Sequence, residues 1–151
     1  MRRLALFAMV LSALAGCGSG PGTGAGGPRA EGAGGLSLDL SFSPDPLQAG
    51  QPVTWSLEVT NHAQAPVTLT FPSGQRGDVV LLRGGTEVYR WSSSKFFAQA
   101  VVKERLGAGE HKAFPLAEKA LSVEPGDYDL VATLASEPAP GPVRRGVPVE
   151  P

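Results

Sequence analysis

Three observations predict an all-β fold, an antiparallel β-sandwich of about seven to nine strands. The stretch Val53 to Trp91 alternates apolar and polar residues, with Val53, Trp55, Leu57 and Val59 on one side and Thr54, Ser56, Glu58 and Thr60 on the other. A period of two is that of a half-buried strand, because successive side chains leave a strand on opposite faces. Similar runs recur every eight to twelve residues between Gly and Pro breaks, the punctuation of a sandwich rather than of a parallel sheet. No window carries sustained helical periodicity. The globular part, residues 36–135, is close to the ~100 residues of one immunoglobulin-like domain.

The chain opens with a segment that does not belong to that domain. Arg2 and Arg3 are a short positive region, and Leu4 to Leu14 is an apolar run of eleven residues. A membrane-spanning helix needs about 20, so residues 1–16 read as a secretory signal. They end in Leu14-Ala15-Gly16-Cys17, which resembles the lipobox of bacterial lipoproteins, and Cys17 is the sequence's single Cys. That resemblance implies lipidation of Cys17, a membrane as partner through the acyl chains, and a place on the bacterial cell envelope, the outer membrane being favoured by Gly18 where one is present. With its one Cys so used, the chain has no thiol left for a disulfide, a CxxC zinc site or a nucleophile.

Residues 17–35 form a glycine-rich tether: nine of the eighteen residues from Gly18 to Gly35 are glycine. Such a chain has too little apolar surface to offset its ordering entropy, and is expected to be a flexible coil reaching about 25 Å. Gly22, Gly24 and Gly27 match the dinucleotide-binding spacing in form only, since no strand precedes them and no helix follows. Leu36, Leu38, Leu40 and Phe42 mark the first strand, which ends at Pro44-Asp45-Pro46. After Val53 to Thr60 come Val67 to Phe71, then Val79 to Leu82, apolar throughout and therefore expected in a sheet covered on both faces. Gly84-Gly85 turns the chain into Glu87 to Trp91. Phe96 to Leu106 reads as a further strand, Phe114–Leu116 and Leu121–Val123 as short apolar pieces, and Asp127 to Leu134 as the last strand, with Tyr128, Leu130, Ala132 and Leu134 on one face. Residues 136–151 hold five prolines and read as a loose tail with an edge pairing at Val147–Val149.

A family resemblance rests on Thr60-Asn61, on Val67 to Arg76 with Asp78 (the run Ser73-Gly74-Gln75-Arg76-x-Asp78), on Tyr89-Arg90-Trp91-Ser92, on Phe97 with Gln99, on Leu106 with Gly109-Glu110, and on Pro125-Gly126-Asp127-Tyr128. Together these residues, from about Leu57 to Leu134, resemble the BsuPI family of intracellular proteinase inhibitors. The resemblance implies an immunoglobulin-like sandwich and protease inhibition. The chain departs from the family at Gly77, where an aromatic residue is usual, and between Phe114 and Val123, where a tryptophan is.

The residues singled out for binding are Ser73, Gly74, Gln75, Arg76, Asp78, Trp91, Ser92 and Lys95. Ser73 to Asp78 reads either as a recognition loop, with Arg76 as an exposed anchor or Asp78 as its hydrogen-bonding support, or as a turn whose Gln75 and Asp78 bond to neighbouring backbone. Trp91 and Tyr89 read either as core aromatics or as an exposed platform. Tyr128 reads as a packing and corner residue. Catalysis is not expected: His62 and His111 lie 49 positions apart, and the serines at 92 to 94 have no base within a recognisable motif. No metal, cofactor or small-molecule substrate is expected. Without Arg2 and Arg3 the chain has 11 basic and 14 acidic residues, a net charge of −3, a poor balance for nucleic acid. The expected protein is thus a non-catalytic envelope module. Its partner would be a serine protease gripped by Ser73–Asp78 or Ser92–Phe96, or alternatively an envelope protein docked on a sheet edge in a structural or assembly role.

Overall fold

A computed structural model describes residues 29–31 and 35–151; residues 1–16, read above as a secretory signal, and Cys17 lie outside the described residues. The described residues contain no α-helix and eleven strands: β1 Arg29–Glu31, β2 Leu36–Ser43, β3 Leu47–Gln48, β4 Val53–Asn61, β5 Val67–Phe71, β6 Gly77–Arg83, β7 Thr86–Arg90, β8 Val102–Leu106, β9 His111–Glu118, β10 Gly126–Leu134 and β11 Val143–Glu150. One sheet has the order β1-β2-β4-β9, a second the order β3-β11-β10-β6-β7, and β5 pairs with β8 in a two-stranded ribbon. All neighbours are antiparallel except β11 and β3. The all-β sandwich read from the alternation is the fold observed.

Alternation explains which face each strand buries. On β4, Val53, Trp55, Leu57, Val59 and Asn61 are buried while Thr54 is exposed, and on β10 Tyr128, Leu130, Ala132 and Leu134 face inward. These side chains join Leu36, Leu38, Leu40, Leu69, Phe71, Val79, Leu81 and the residues of β9 and β11 in one core cluster. Edge-on ring contacts, Phe42 on Trp55 at 5.6 Å and Phe71 on Phe114 at 5.5 Å, tie it together in the geometry the ring quadrupole favours. Between β6 and β7 the two-residue turn has φ of 58° at Gly84 and 81° at Gly85, the doubly left-handed pattern that matches hairpin twist and that glycine adopts without strain.

Several sequence expectations need correction. The tether is not coil throughout: Arg29–Glu31 pairs with Asp39, Leu38 and Ser37, because the free edge of β2 offers backbone partners that an isolated coil does not have. Residues 136–151 are not a loose tail. Val143, Val147 and Val149 are buried, and β11 pairs with β10 from Gly126↔Val149 to Ala132↔Val143. Its Pro148 is tolerated because most of β11 is an outer strand, joined by β3 only at Val149 and Glu150. The strand expected from Phe96 begins only at Val102, since Phe96 and Val101 face solvent. Val79 and Leu81 are buried, whereas Val80 and Leu82 are half-buried, so β6 is covered fully on one face only. Ala117 and Glu118 extend β9 instead of separating two short pieces.

Candidate functional site

Asp78 organises the surface around the β6–β7 hairpin. It sits second in β6, is 7 % exposed, and accepts four hydrogen bonds. Oδ1 takes the backbone N–H of Val79 and of Ser92, each at 3.0 Å; Oδ2 takes the Ser92 hydroxyl at 2.6 Å and the Arg90 guanidinium at 2.9 Å. Arg90 also donates to Glu87 Oε1, and this bond, with Asp78 second, raises its pKa above the usual arginine value. The Asp of the Ser-Gly-Gln-Arg-x-Asp run and the Arg and Ser of Tyr-Arg-Trp-Ser are thus one ion-paired cluster, twelve and fourteen residues apart in sequence. Charge-assisted bonds of this kind are the stronger class.

The preceding residues turn inward on their own loop. Gln75 N–H donates to Ser73 Oγ at 3.2 Å and Gln75 Nε2 to the Gly77 carbonyl at 3.1 Å. Arg76 Nη1 lies 3.4 Å from the carbonyls of Ser73 and Gly74, and its guanidinium covers the Phe71 ring at 4.8 Å. Arg76 therefore belongs to the frame of the loop, the arrangement in which these side chains bond to neighbouring backbone. Gly77 has no room for a side chain: a Cβ there would overlap the Leu57 side chain and stand 2.6 Å from the Thr133 carbonyl oxygen. The family's aromatic residue does not fit at this position of this chain.

Trp91 starts a short 3-10 helix, Trp91–Ser94, and is buried, its indole N–H donating to the Ala117 carbonyl at 2.9 Å. It is a core aromatic. Phe97 packs on it at 5.7 Å and Lys95 Nζ sits 5.5 Å from its ring, while the same ammonium reaches Glu118 Oε1 at 3.2 Å. Glu118 Oε2 accepts the Tyr89 hydroxyl at 3.1 Å. Burial first, then the Glu118 charge, pushes the Tyr89 phenol above the ordinary tyrosine value. An alkaline absorbance titration is expected to show a tyrosine step above about 10 that Tyr89→Phe removes. With its folded pKa raised, this group's contribution to stability is complete below the unfolded pKa and falls away as pH climbs through the folded value.

From Lys95 to Val101 the chain has no regular structure. Its backbone is held at Lys95, whose N–H donates to the Ser92 carbonyl at 3.1 Å, and at Ala98, whose carbonyl accepts from Gly74 N–H at 2.8 Å. Of the sequence-derived residues, Asp78 bonds to Ser92, Ser92 accepts from the Lys95 N–H and Lys95 lies over Trp91, while Gly74 alone of Ser73 to Arg76 bonds to the segment, at Ala98. Sequence reading missed the prominence of Phe96. The Phe96-Phe97 pair contained the signal, because adjacent residues of an extended chain face opposite ways and a single covered face takes only one of them. At the β10 corner, the Tyr128 hydroxyl donates to the Glu124 carbonyl, and Arg83 lies over its ring at 4.6 Å, the packing and corner role expected. His62 bonds to the Ser37 hydroxyl at 2.7 Å and His111 is exposed at the start of β9. Among the described residues no group of three or more His, Cys, Asp or Glu could hold a metal ion.

No curated protein matches the sequence. Among solved structures, the sporulation control protein Spo0M of Bacillus subtilis is similar at a TM-score of 0.50 and 15% identity, over 78% of this chain and 50% of that one. The Pseudomonas fluorescens alkylpurine DNA glycosylase AlkC (TM-score 0.46, 13% identity, 78% of this chain and 31% of that one) and a Listeria innocua β-glucosidase (0.41, 17%, 77% and 16%) are more distant. The chain spans half or less of each of these proteins, and the likeness to Spo0M bears on the fold alone. The family BsuPI, described as intracellular proteinase inhibitor, matches residues 40–139. That description overturns the cell-envelope and outer-membrane localisation expected from the amino-terminal segment. The matched span contains Asn61, the whole Asp78 cluster and the 95–101 segment, and on that match the chain belongs to the BsuPI family of intracellular proteinase inhibitors.

Proposed function

We propose that the domain is a proteinase-inhibitor-like binding module that presents residues 95–101 to the cleft of a serine protease. The observation that carries the reading is the state of that segment: it lacks regular structure and carries exposed apolar side chains, yet is fixed by hydrogen bonds at Lys95 and Ala98. A loop already ordered in its bound form loses little entropy on binding, and this is where preorganised inhibitors gain affinity. The Asp78–Arg90–Ser92 cluster acts as the brace of the loop rather than as a contact surface, and Gly74 supports it through its bond to Ala98. An inhibitor of this kind binds without turning anything over, so no side chain is assigned a catalytic role. Lipidation of Cys17 lies outside the described residues and plays no part in this reading.

The full-length protein is expected to slow hydrolysis of a peptide substrate by a subtilisin-like serine protease while remaining uncleaved. Absence of inhibition across several serine proteases would sink the reading. A specific pull-down of another protein would then favour the assembly role, for which β7, an outer strand of its sheet with Val88 46% exposed, is one available edge.

A further inference from the structure

We propose that Phe96 is the specificity-determining residue of this loop, and that the target is a serine protease whose primary pocket accepts an aromatic side chain. The inference rests on the inhibitor reading above and names the class of its target. Phe96 is 102% exposed, beyond either other large exposed hydrophobic among the described residues, Val88 at 46% and Val101 at 63%. Its two neighbours are both engaged with the body of the protein. Lys95 is committed to Glu118 and to the face of Trp91, and Phe97 packs on Trp91. The chain thus turns one side chain in, one out and one in, and the one left out is a phenylalanine.

The backbone at that point suits a protease cleft. Lys95 has φ −111° and ψ 151°, the extended conformation in which a peptide pairs as an added strand. Phe96 lies one residue beyond the Lys95 hydrogen bond and two before the Ala98 one, so the presenting backbone is held on both sides. Specificity at such a position follows the pocket that receives the side chain: an apolar slot takes an aromatic, a pocket with a buried carboxylate takes a cation, and a shallow one takes a small residue. The lysine next door does not offer itself to a basic-specific enzyme, because its ammonium is already paired with Glu118. An apolar slot that takes Phe96 desolvates a whole aromatic ring, the kind of central anchor that dominates an interface.

The test compares full-length wild type, Phe96→Ala, Phe96→Tyr and Phe96→Arg against a chymotrypsin-like, a trypsin-like and an elastase-like protease. Wild type and Phe96→Tyr are expected to inhibit the chymotrypsin-like enzyme in preference to the others. Phe96→Ala should raise the inhibition constant about 100-fold, the loss typical of a hot-spot anchor. Phe96→Arg should transfer inhibition to the trypsin-like enzyme. Because Phe96 is fully exposed, unchanged thermal midpoints are expected for all three variants, so a lost inhibition is not a lost fold. Inhibition by wild type that none of the substitutions weakens or redirects overturns this inference while leaving the inhibitor reading intact. No inhibition of any protease by wild type overturns both.

Discussion

Asp78→Ala is expected to lower the stability of the domain by about 3 kcal/mol, since one hydrogen bond to a charged group contributes about 1.5–3 kcal/mol and bonds that share a single carboxylate add to much less than their separate sum. Four donors lose their acceptor at once: the amides of Val79 and Ser92, the Ser92 hydroxyl and Arg90. The Arg90 share is the smallest, because its side chain is 43% exposed and turns to water and Glu87. A urea midpoint lowered at unchanged slope reads the stability effect. Amide exchange reads the local one: residues 92–101 should exchange faster in the variant, because Ser92 is the link from β6 into the loop. Asp78→Asn keeps the shape but points an amide at the guanidinium or at the Ser92 N–H, so it should recover only part of the loss. Asp127→Ala, exposed on the outer face of β10, is the contrast and should stay within about 0.5 kcal/mol. Equal effects at the two aspartates would refute the brace assigned to Asp78.

Asn61→Asp is expected to cost more still, about 3–5 kcal/mol, the range for an uncompensated buried charge. Asn61 has no exposed surface and closes the end of β4. Its Nδ2 donates to the carbonyls of Ala65, Gly107 and Leu106 at 2.9, 3.0 and 3.3 Å, and its Oδ1 accepts the Ala63 N–H at 3.0 Å. Its backbone meanwhile exchanges bonds with Glu110 and Gly109. One side chain thereby fastens the 62–66 turn to the turn after β8. Aspartate fills the same volume but replaces the donor with an acceptor facing three carbonyl oxygens. Asn61→Ala removes the donor without adding charge and should cost about 2–3 kcal/mol for the buried carbonyls left unpaired. Denaturant midpoints that rank the alanine variant below the aspartate variant would contradict this account.

Much of this fold was legible in the chain. Val53 to Val59, Leu36 to Phe42 and Tyr128 to Leu134 each alternate with period two, and each buries the apolar set that the alternation assigns to one face. The glycine pair at 84 and 85 marked its hairpin for a local reason. Two elements were missed, one wholly and one outside its expected Val147–Val149 pairing, because their partners are distant. Arg29–Glu31 has a strand's conformation only because β2 has an open edge, and Val143–Glu150, with its proline, only because β10 lies beside it. Phe96 to Leu106 failed in the opposite way. Its apolar residues promised a strand, but from Phe96 to Val101 no neighbouring strand supplies a ladder, and the apolar side chains at both ends of that stretch stay in water.

The candidate site divides along the same line. The motif residues Ser73 to Asp78 and Tyr89 to Ser92 could be named from the sequence, and with them the family. What each does was decided by tertiary structure, because charge and hydrogen-bonding groups act over a few ångströms while these motifs are more than ten residues apart in sequence. Arg76, the side chain that looked free to reach outward, lies across Phe71 and its own loop. Asp78, which looked like its support, gathers Arg90 and Ser92 instead. Alternation, a local property of the backbone, thus determined the sandwich from sequence alone; which of two adjacent phenylalanines faces water depended on Trp91 packing against Phe97, a contact that forms only when the chain has folded.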